Sequence, residues 1–319
     1  MFVWLLGVVI VVIAWRMVLL YRVSPQHHAE PFDGVVYRVG TASVVERASA
    51  NPRATVICMH GFVEDVRYFT QFYAEREIQL ILVVSADYHV PITNPQYRSA
   101  DWIKTPLLSE GTIEYDAMVL TQALEHLPKA GSVRVHGHSR GGAVVLEAAA
   151  MRPDLFRDVE VILEAPVLPG AQPRRPMSPV MYWLFPFLVV LWRRQPISNY
   201  NRRQWGRLDN PRKRELIMGF PFNPKRVVTM IRNVKSIAAW QARKNYDLYR
   251  SVGRGTVLIG DDDQVLDPIS MRASAERAAG SLRTVWLQNC SHFVLWDQPS
   301  AIPPLEMSGA TRRTGARAL

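Results

Sequence analysis

The sequence predicts an α/β fold with a mostly parallel central sheet and helices on both faces. From about residue 35, short β-branched runs alternate with longer amphipathic ones, as strands joined by crossover helices do. The short runs are apolar throughout, which is typical of strands covered on both faces. The predicted strands are residues 54–60, 80–86, 133–138, 159–163, 256–260 and 284–288.

Helical stretches fill the gaps between these strands, and one segment breaks the pattern. The predicted helices are residues 66–77, 109–126, 141–151 and 269–279, and a hairpin at 35–47 comes before them. Between residues 170 and 255 the alternation stops. This segment holds eighteen basic and three acidic residues, a net charge of +15, and because the whole chain carries +10 the remainder carries −5. The segment is therefore interpreted as an insertion.

The composition of the 319 residues excludes several classes of protein. With 48% hydrophobic and 21% charged residues, the body is neither disordered nor fibrous. Two cysteines are too few for a disulfide scaffold or a cysteine zinc site. No phosphate loop or dinucleotide motif occurs, and we predict no cofactor and no metal. The basic charge indicates an anionic partner, for which we expect a membrane surface and not a nucleic acid.

Residues 2–21 are apolar apart from Arg16 and predict a membrane-spanning helix. Twenty helical residues are about 30 Å long, the thickness of a hydrocarbon core. A signal peptide and a buried core helix are the alternatives, but no basic segment precedes the stretch and no small-residue cleavage site follows it. Arg16 and Arg22 lie toward its C-terminal end, which predicts that the body faces the cytoplasm.

The motif G-x-S-x-G occurs at residues 137–141, between a predicted strand and a predicted helix. In this context the motif exposes a nucleophilic serine on a strained turn, so Ser139 is the predicted nucleophile. A serine hydroxyl needs a base at neutral pH, and a third group must orient that base. His292, just after the last predicted strand, is the candidate base. His136 and His138 are assigned to packing rather than to zinc binding.

Three consecutive aspartates follow the predicted strand at 256–260. With Asp263 as the acid, the chain order Ser139, Asp263, His292 is a known nucleophile–acid–base order, with each residue at a strand end. The aspartates lack further ligands at calcium-loop spacing, so they do not indicate a metal site. The alternative acids are Asp261, Asp262, Asp267 and Glu164.

Taken together, these motifs resemble those of the α/β-hydrolase superfamily over residues 54–299. The matching elements are His-Gly-Phe at 60–62, GHSRGG at 137–142, G-x-x-D at 260–263 and Ser-His-Phe at 291–293. The resemblance implies the α/β-hydrolase fold, with residues 170–255 at the place where such proteins carry a cap or lid.

The resemblance also implies roles for individual residues. Asp263 takes the family's acid position beside Ser139 and His292. The backbone N–H groups of Phe62 and Arg140 would form the oxyanion hole, which typically contributes several kcal/mol to transition-state stabilisation. His60 would brace the oxyanion loop.

The predicted organisation is a membrane anchor at 1–22, a core at 30–169 and 256–305, a cap at 170–255 and a flexible tail at 306–319. In the cap, residues 181–192 are too few to span a bilayer and too apolar to face water. Two interpretations stay open. These residues form a lid helix over the site, or they enter the membrane interface while neighbouring arginines contact anionic headgroups.

The function predicted from these features is that of a membrane-anchored serine hydrolase acting through an acyl-enzyme on Ser139. The anchor and the cap favour a lipid-like carboxylic ester, such as a monoacylglycerol or a lysophospholipid. Amide cleavage, thioester cleavage and acyl transfer by the same triad stay open. So does a non-catalytic lipid-binding or scaffold protein with this fold.

Overall fold

Residues 2–278 and 280–307 are described by the structure, a computed structural model, with side chains described from Trp4 onward. From residue 308 onward the predicted tail lies outside the described residues, and so does residue 279 at the end of a predicted helix. The strands are β1 (Val35–Val39), β2 (Ala42–Arg47), β3 (Ala54–Met59), β4 (Ile78–Val84), β5 (Gln96–Arg98), β6 (Val133–His138), β7 (Glu160–Glu164), β8 (Arg254–Gly260) and β9 (Leu282–Leu287).

These strands form one mostly parallel sheet, which confirms the predicted fold class. Its order is β5-β1-β2-β4-β3-β6-β7-β8-β9. Strand β2 pairs antiparallel with β1 and with β4, and the other neighbours are parallel. Every predicted strand is present, with ends that differ by two residues or fewer. The edge strand β5 was not predicted, because its three residues are exposed and carry no apolar pattern.

The helices alternate with the strands as expected, with one correction. They are α1 (Phe2–Tyr21), α2 (Arg67–Thr70), α3 (Ile113–His126), α4 (Arg140–Met151), α5 (Pro179–Arg194), α6 (Pro211–Gly219), α7 (Val227–Arg243), α8 (Pro268–Ala275) and α9 (Val294–Asp297). The predicted helix at 66–77 is wrong in length. Helix α2 is one turn long and ends at Thr70, and beyond it the Arg47 guanidinium donates to the carbonyls of Tyr73 and Glu75.

Alternate residues of the strands enter two hydrophobic clusters, one on each face of the sheet. Ile57 and Val135 belong to the cluster that contains residues of α3 and α4. Val56 and Leu258 belong to the cluster that contains residues of α2, α6 and α9. Burial on both faces explains why the strand sequences are apolar throughout.

Helices α5, α6 and α7 all lie between β7 and β8, within the segment 170–255. They pack at the carboxyl ends of the strands. Arg226, next to α7, donates to the carboxylate of Asp87, just beyond β4, at 2.7 Å. Helix α5 is continuous through Pro186, and the Ser178 side chain caps its first turn. We refer to α5–α7 and their connections as the cap.

Helix α1 is long and apolar enough to cross a membrane, and almost none of it is buried against the rest of the chain. A signal sequence near an N-terminus meets the same criterion. The C-terminal part of α1 contacts α5 and α7, and Leu20 is its one buried apolar residue among those described.

Candidate active site

Ser139 lies on the turn between β6 and α4, in a backbone conformation that is rare for a residue with a side chain. Its φ is 53° and its ψ is −119°. Such strain persists only where the surroundings impose it. A Cβ on Gly141 would lie 2.1 Å from the Met59 carbonyl oxygen, and one on Gly137 would lie 2.6 Å from the Gly141 carbonyl oxygen. Glycines at both positions therefore allow β6, α4 and β3 to approach closely enough to form this turn.

His292 lies in the loop after β9, and its ring contacts Asp263. The Nδ1 atom is 2.6 Å from Asp263 Oδ2. A carboxylate only accepts hydrogen bonds, so Nδ1 carries the proton and Nε2 is left as the basic nitrogen. Asp263 is fully buried, and its other oxygen accepts the N–H groups of Val265 at 2.7 Å and Leu266 at 2.9 Å. These contacts fix the carboxylate and, through it, the imidazole.

The alternative acids named from the sequence all have other partners. Asp267 caps α8, and the exposed Asp262 accepts from the side chain of Gln264. Asp261 accepts the backbone N–H of Cys290. Glu164 is buried, but its partners are Tyr68, His136 and the backbone of Leu295. None of the four contacts the ring of His292.

Ser139 and His292 are neighbours through His138. The ring centres of His138 and His292 are 4.9 Å apart, and His138 Nε2 lies 2.9 Å from the His292 carbonyl oxygen. The Ser139 hydroxyl and the His292 ring are not hydrogen-bonded in this conformation. In enzymes without substrate this bond is often long and tightens when substrate binds.

The turn after β3 carries the predicted oxyanion donor Phe62. His60 Nε2 accepts the Ser85 N–H at 3.1 Å, so its Nδ1 carries the proton and donates to the Gly61 carbonyl at 2.9 Å. Burial lowers the pKa of His60, which agrees with this neutral form. The Gly61 carbonyl and the Phe62 N–H belong to one peptide unit, so His60 orients that N–H.

The second predicted donor is the N–H of Arg140, the first residue of α4. Within the described part of the chain, the N–H groups of Phe62 and Arg140 donate no hydrogen bond. The Arg140 side chain points away into the core and pairs with Asp116 at 2.7 Å. A Cβ on Gly61 would lie 2.9 Å from Ser139 Cβ. The turn after β3 that carries Phe62, which we call the oxyanion turn, therefore lies directly beside the turn that carries Ser139.

Sequence reasoning did not single out Glu64, and it assigned His138 to packing. Glu64 Oε2 accepts the Gly61 N–H at 2.8 Å and lies 2.7 Å from His138 Nδ1. Burial favours neutral His138, but the carboxylates of Glu64 and Glu164 outweigh it and raise the pKa of His138 to about 9. The one signal in the sequence was an acidic residue close behind the His-Gly pair.

Glu64, His138 and His292 also form the kind of cluster that can hold a metal ion. Their potential ligand atoms lie within 4.8 Å of one another. In this structure Glu64 and His138 are joined by a direct hydrogen bond of 2.7 Å.

The cap covers the segment after β9 that carries His292 (residues 288–297), which we call the histidine loop. Lys213 of α6 is buried, and its Nζ lies 2.7 Å from Oδ1 of Asp297. The ring of Trp205 packs against that of Phe293, with centres 6.0 Å apart. His292 itself is only 2% exposed.

Solved structures resemble this chain in fold at low sequence identity. An esterase from Exiguobacterium antarcticum is 16% identical, covering 84% of this chain and 96% of its own, with a TM-score of 0.61. A thermophilic esterase from Thermogutta terrifontis is 18% identical, covering 85% and 95%, with a TM-score of 0.57. A bromoperoxidase from Bacillus anthracis is 12% identical, covering 82% and 94%, with a TM-score of 0.55.

At these identities the structural likeness establishes the fold alone. Among curated proteins, none matches the sequence. The sequence model described as "Alpha/beta hydrolase family" matches residues 56–302, which include most of β3, strands β4 to β9, the cap and all five predicted site residues. By this match and by its fold, the chain belongs to the alpha/beta hydrolase family.

Proposed function

We propose that the chain is a membrane-anchored serine hydrolase that cleaves a carboxylic ester of a lipid-like substrate. One observation carries the catalytic part of the proposal. The Asp263–His292 pair, whose Nε2 is left basic, lies beside the strained turn that presents Ser139 between two uncommitted backbone N–H groups. A base, a nucleophile and oxyanion donors in one place are the requirements of acyl transfer.

In the proposed reaction, the Ser139 hydroxyl attacks the ester carbonyl carbon while His292 Nε2 takes its proton. The negative charge on the carbonyl oxygen is stabilised by the N–H groups of Phe62 and Arg140. Collapse of the intermediate expels the alcohol, protonated by His292, and leaves the acyl group on Ser139. A water molecule, deprotonated by His292, then releases the carboxylic acid.

The membrane part of the proposal rests on the contact between α1 and the cap. Arg16 Nε donates to the Trp183 carbonyl of α5 at 3.0 Å. Just after α1, Ser24 Oγ donates to the Phe222 carbonyl at 3.0 Å. Near the end of α5, Arg193 Nε donates to the neighbouring Pro221 carbonyl at 2.9 Å. Helices α1 and α5 therefore run side by side in the same direction. The first residues of α5 accordingly lie toward the part of α1 that is proposed to be in the bilayer.

The surface of α5 supports the membrane-interface interpretation over a lid interpretation. Val180 is 65% exposed and Leu191 is 60% exposed, and Met181 and Trp183 are also exposed. The cap residues that contact the histidine loop include Lys213 of α6, Trp205 and Phe220. An apolar face next to a proposed span suits the hydrocarbon boundary, and the exposed Arg194 at its far end suits anionic headgroups.

The substrate class follows from this location. A cap that lies at the lipid surface favours a substrate that partitions there, such as a monoacylglycerol or a lysophospholipid. The basic flank formed by Arg16 and Arg22 favours a catalytic domain on the cytoplasmic side.

A fluorophosphonate probe tests the catalytic part. We expect it to label the detergent-solubilised wild type and the control variant Ser270→Ala, whose serine lies in α8 and donates its hydroxyl to the Asp267 carbonyl at 2.9 Å. Ser139→Ala should not be labelled. Folded wild type that stays unlabelled would favour a non-catalytic binding protein, and labelling of Ser139→Ala would place the nucleophile elsewhere. Turnover of matched ester, amide and thioester substrates then identifies the bond that is cleaved.

A fluorophore that brominated lipids quench on contact tests the membrane part of the proposal. Cys58 and Cys290 are buried, so a new surface cysteine is selectively labelled. We expect a probe on Met181→Cys to be quenched by chain-brominated lipids in vesicles of phosphatidylcholine and phosphatidylglycerol. A probe on Asn51→Cys should not be quenched. Asn51 is exposed just before β3, at the amino ends of the parallel strands and therefore opposite the cap. Equal quenching at both positions, or at neither, would contradict the proposed orientation.

A further inference from the structure

Two buried side chains that the proposed reaction does not use, Glu64 and His138, connect the oxyanion turn to the histidine loop. This inference rests on the proposed hydrolase activity and deepens it. We propose that Glu64 and His138 form a positioning pair, which holds the Phe62 N–H and the His292 backbone where Ser139 needs them. The pair does not touch the reacting atoms and acts through its neighbours.

On the oxyanion side, Glu64 fixes the peptide that precedes the donor peptide. Its Oε2 accepts the Gly61 N–H at 2.8 Å, while His60 donates to the Gly61 carbonyl at 2.9 Å. Gly61 is thus held at both its N–H and its carbonyl. A glycine without these bonds has more conformational freedom than any other residue, so loss of Glu64 would loosen the Phe62 N–H.

On the base side, His138 fixes the main chain of the catalytic histidine. Its Nδ1 faces the Glu64 carboxylate at 2.7 Å and its Nε2 faces the His292 carbonyl at 2.9 Å. Both partners are acceptors, so both ring nitrogens carry hydrogens and His138 is an imidazolium. Asp263 orients the ring of His292, and His138 holds its backbone, so the base is fixed at two points.

The position of the His138 ring is itself determined by packing. It stacks on Tyr68 with ring centres 4.5 Å apart and an angle of 11° between the planes. Because Ser139 is the next residue, a shift of His138 moves the nucleophile and the base together. Misplacement of reacting groups by about 1 Å can cost about 10²-fold in rate.

The charge of the pair explains why an imidazolium is tolerated beside the catalytic histidine. Glu64 and His138 are neutral as a pair, so they do not oppose the positive charge that His292 acquires during the reaction. The titratable groups that face His138 are Glu64 on the oxyanion turn, Tyr68 on α2, His136 on its own strand, Glu164 at the end of β7 and His292 on the histidine loop. Above a pH of about 9, His138 loses a proton and its Nε2 lone pair then repels the His292 carbonyl oxygen.

Kinetics of His138→Phe with p-nitrophenyl butyrate test the positioning role. Phenylalanine keeps the stack on Tyr68 but removes both hydrogen bonds. With active sites counted by fluorophosphonate titration, we expect kcat to fall about 10- to 100-fold and KM to change less than about 3-fold. Glu64→Gln keeps an acceptor for Gly61 and should lose less. It also carries the test if His138→Phe does not fold.

The pH profile separates a positioning role from a merely structural one. The wild type should lose kcat as the pH rises through about 9, because His138 is deprotonated there. His138→Phe should lack this alkaline decline. A structural role would lower the yield of active sites without removing the decline. The control His136→Gln changes a histidine of the same strand and the same burial, and should keep both kcat and the decline.

Two outcomes overturn the pair, and one refutes the activity on which it rests. If His138→Phe matches the wild type per titrated site and keeps the alkaline decline, the positioning role is wrong. If ¹⁵N spectra of histidine-labelled wild type at neutral pH give a singly protonated His138, the hydrogen-bond assignment is wrong. A folded wild type that never reacts with the fluorophosphonate refutes the proposed function itself, and with it any role of the pair in catalysis.

Discussion

Three carboxylate–histidine pairs lie within this one site, and they differ in what the second nitrogen of each ring faces. The pairs are Asp263–His292, Glu64–His138 and Glu164–His136. All three histidines are almost fully buried. In the first pair the second nitrogen has no partner among the described residues, in the second it faces a backbone carbonyl, and in the third it faces the hydroxyl of Tyr73.

The difference shows that the partner of the second nitrogen decides what such a pair does. His292 has a free Nε2 and can act as a base. His138 faces two acceptors and must carry a positive charge. Burial lowers the pKa of His136 despite the nearby Glu164, so His136 is neutral and accepts from the Tyr73 O–H. The same two residue types thus give a base, a cation and a structural histidine.

The largest expected effect comes from the pair that contains the base. Asp263→Asn places an amide NH2 group opposite His292 Nδ1, because the N–H groups of Val265 and Leu266 hold the remaining oxygen. The ring proton then moves to Nε2, and no basic nitrogen is directed at Ser139. We expect kcat for p-nitrophenyl butyrate to fall about 10⁴-fold. The neighbouring Asp262→Asn, at an exposed carboxylate, should retain wild-type activity. A large loss in Asp262→Asn and none in Asp263→Asn would assign the acid to the other aspartate.

An intermediate effect is expected for the pair proposed to position the site, and a double-mutant cycle isolates it. Because Glu64 and His138 act through one contact, Glu64→Gln combined with His138→Phe should be little worse than His138→Phe alone. We expect the coupling energy from the ratios of kcat/KM to be close to the loss caused by Glu64→Gln alone, about 1 kcal/mol. Additive effects would mean that the two residues act separately and that the comparison between the pairs is wrong.

The smallest effect on activity is expected for the third pair. His136→Gln removes the acceptor that faces the Tyr73 hydroxyl, and leaving that buried group without its partner typically costs about 1 to 3 kcal/mol of folding free energy. We expect the variant to unfold at lower urea concentration than the wild type, while kcat per active site stays within about 2-fold. An activity loss as large as that of His138→Phe would show that His136 also supports catalysis and is not merely structural.

The parts of the fold and the site that could be predicted share one property, which is that their signal is local in the sequence. The strand β6, the glycines around Ser139 and the start of α4 are contiguous, and the steric demand for glycine is met within five residues. Parallel strands covered on both faces are apolar throughout, so hydrophobic runs locate these strands along the chain. Chain order then indicated His292 and the aspartates after β8, and the family resemblance selected Asp263 among them. The structure brings the Asp263 and His292 side chains together.

The features that could not be predicted depend on contacts between distant parts of the chain. The segment after the short helix α2 is held by Arg47, which lies 26 residues before Tyr73 and donates to its carbonyl. Glu64 and His138 are 74 residues apart, and neither carries a pattern that indicates the other. The pairing of α1 with α5 likewise joins Arg16 to Trp183, which are 167 residues apart.

The sequence by itself determined the α/β fold class, the nucleophile turn and the candidate acid and base, because backbone sterics and hydrophobic periodicity act over short stretches. Only the tertiary structure decided the protonation of each histidine. That property depends on whether the atom opposite a ring nitrogen is a donor or an acceptor, and the chain selects that atom when it folds. It also decided that α6 and Trp205, rather than the apolar helix α5, cover the histidine loop, because the packing of the cap leaves α5 on the outside.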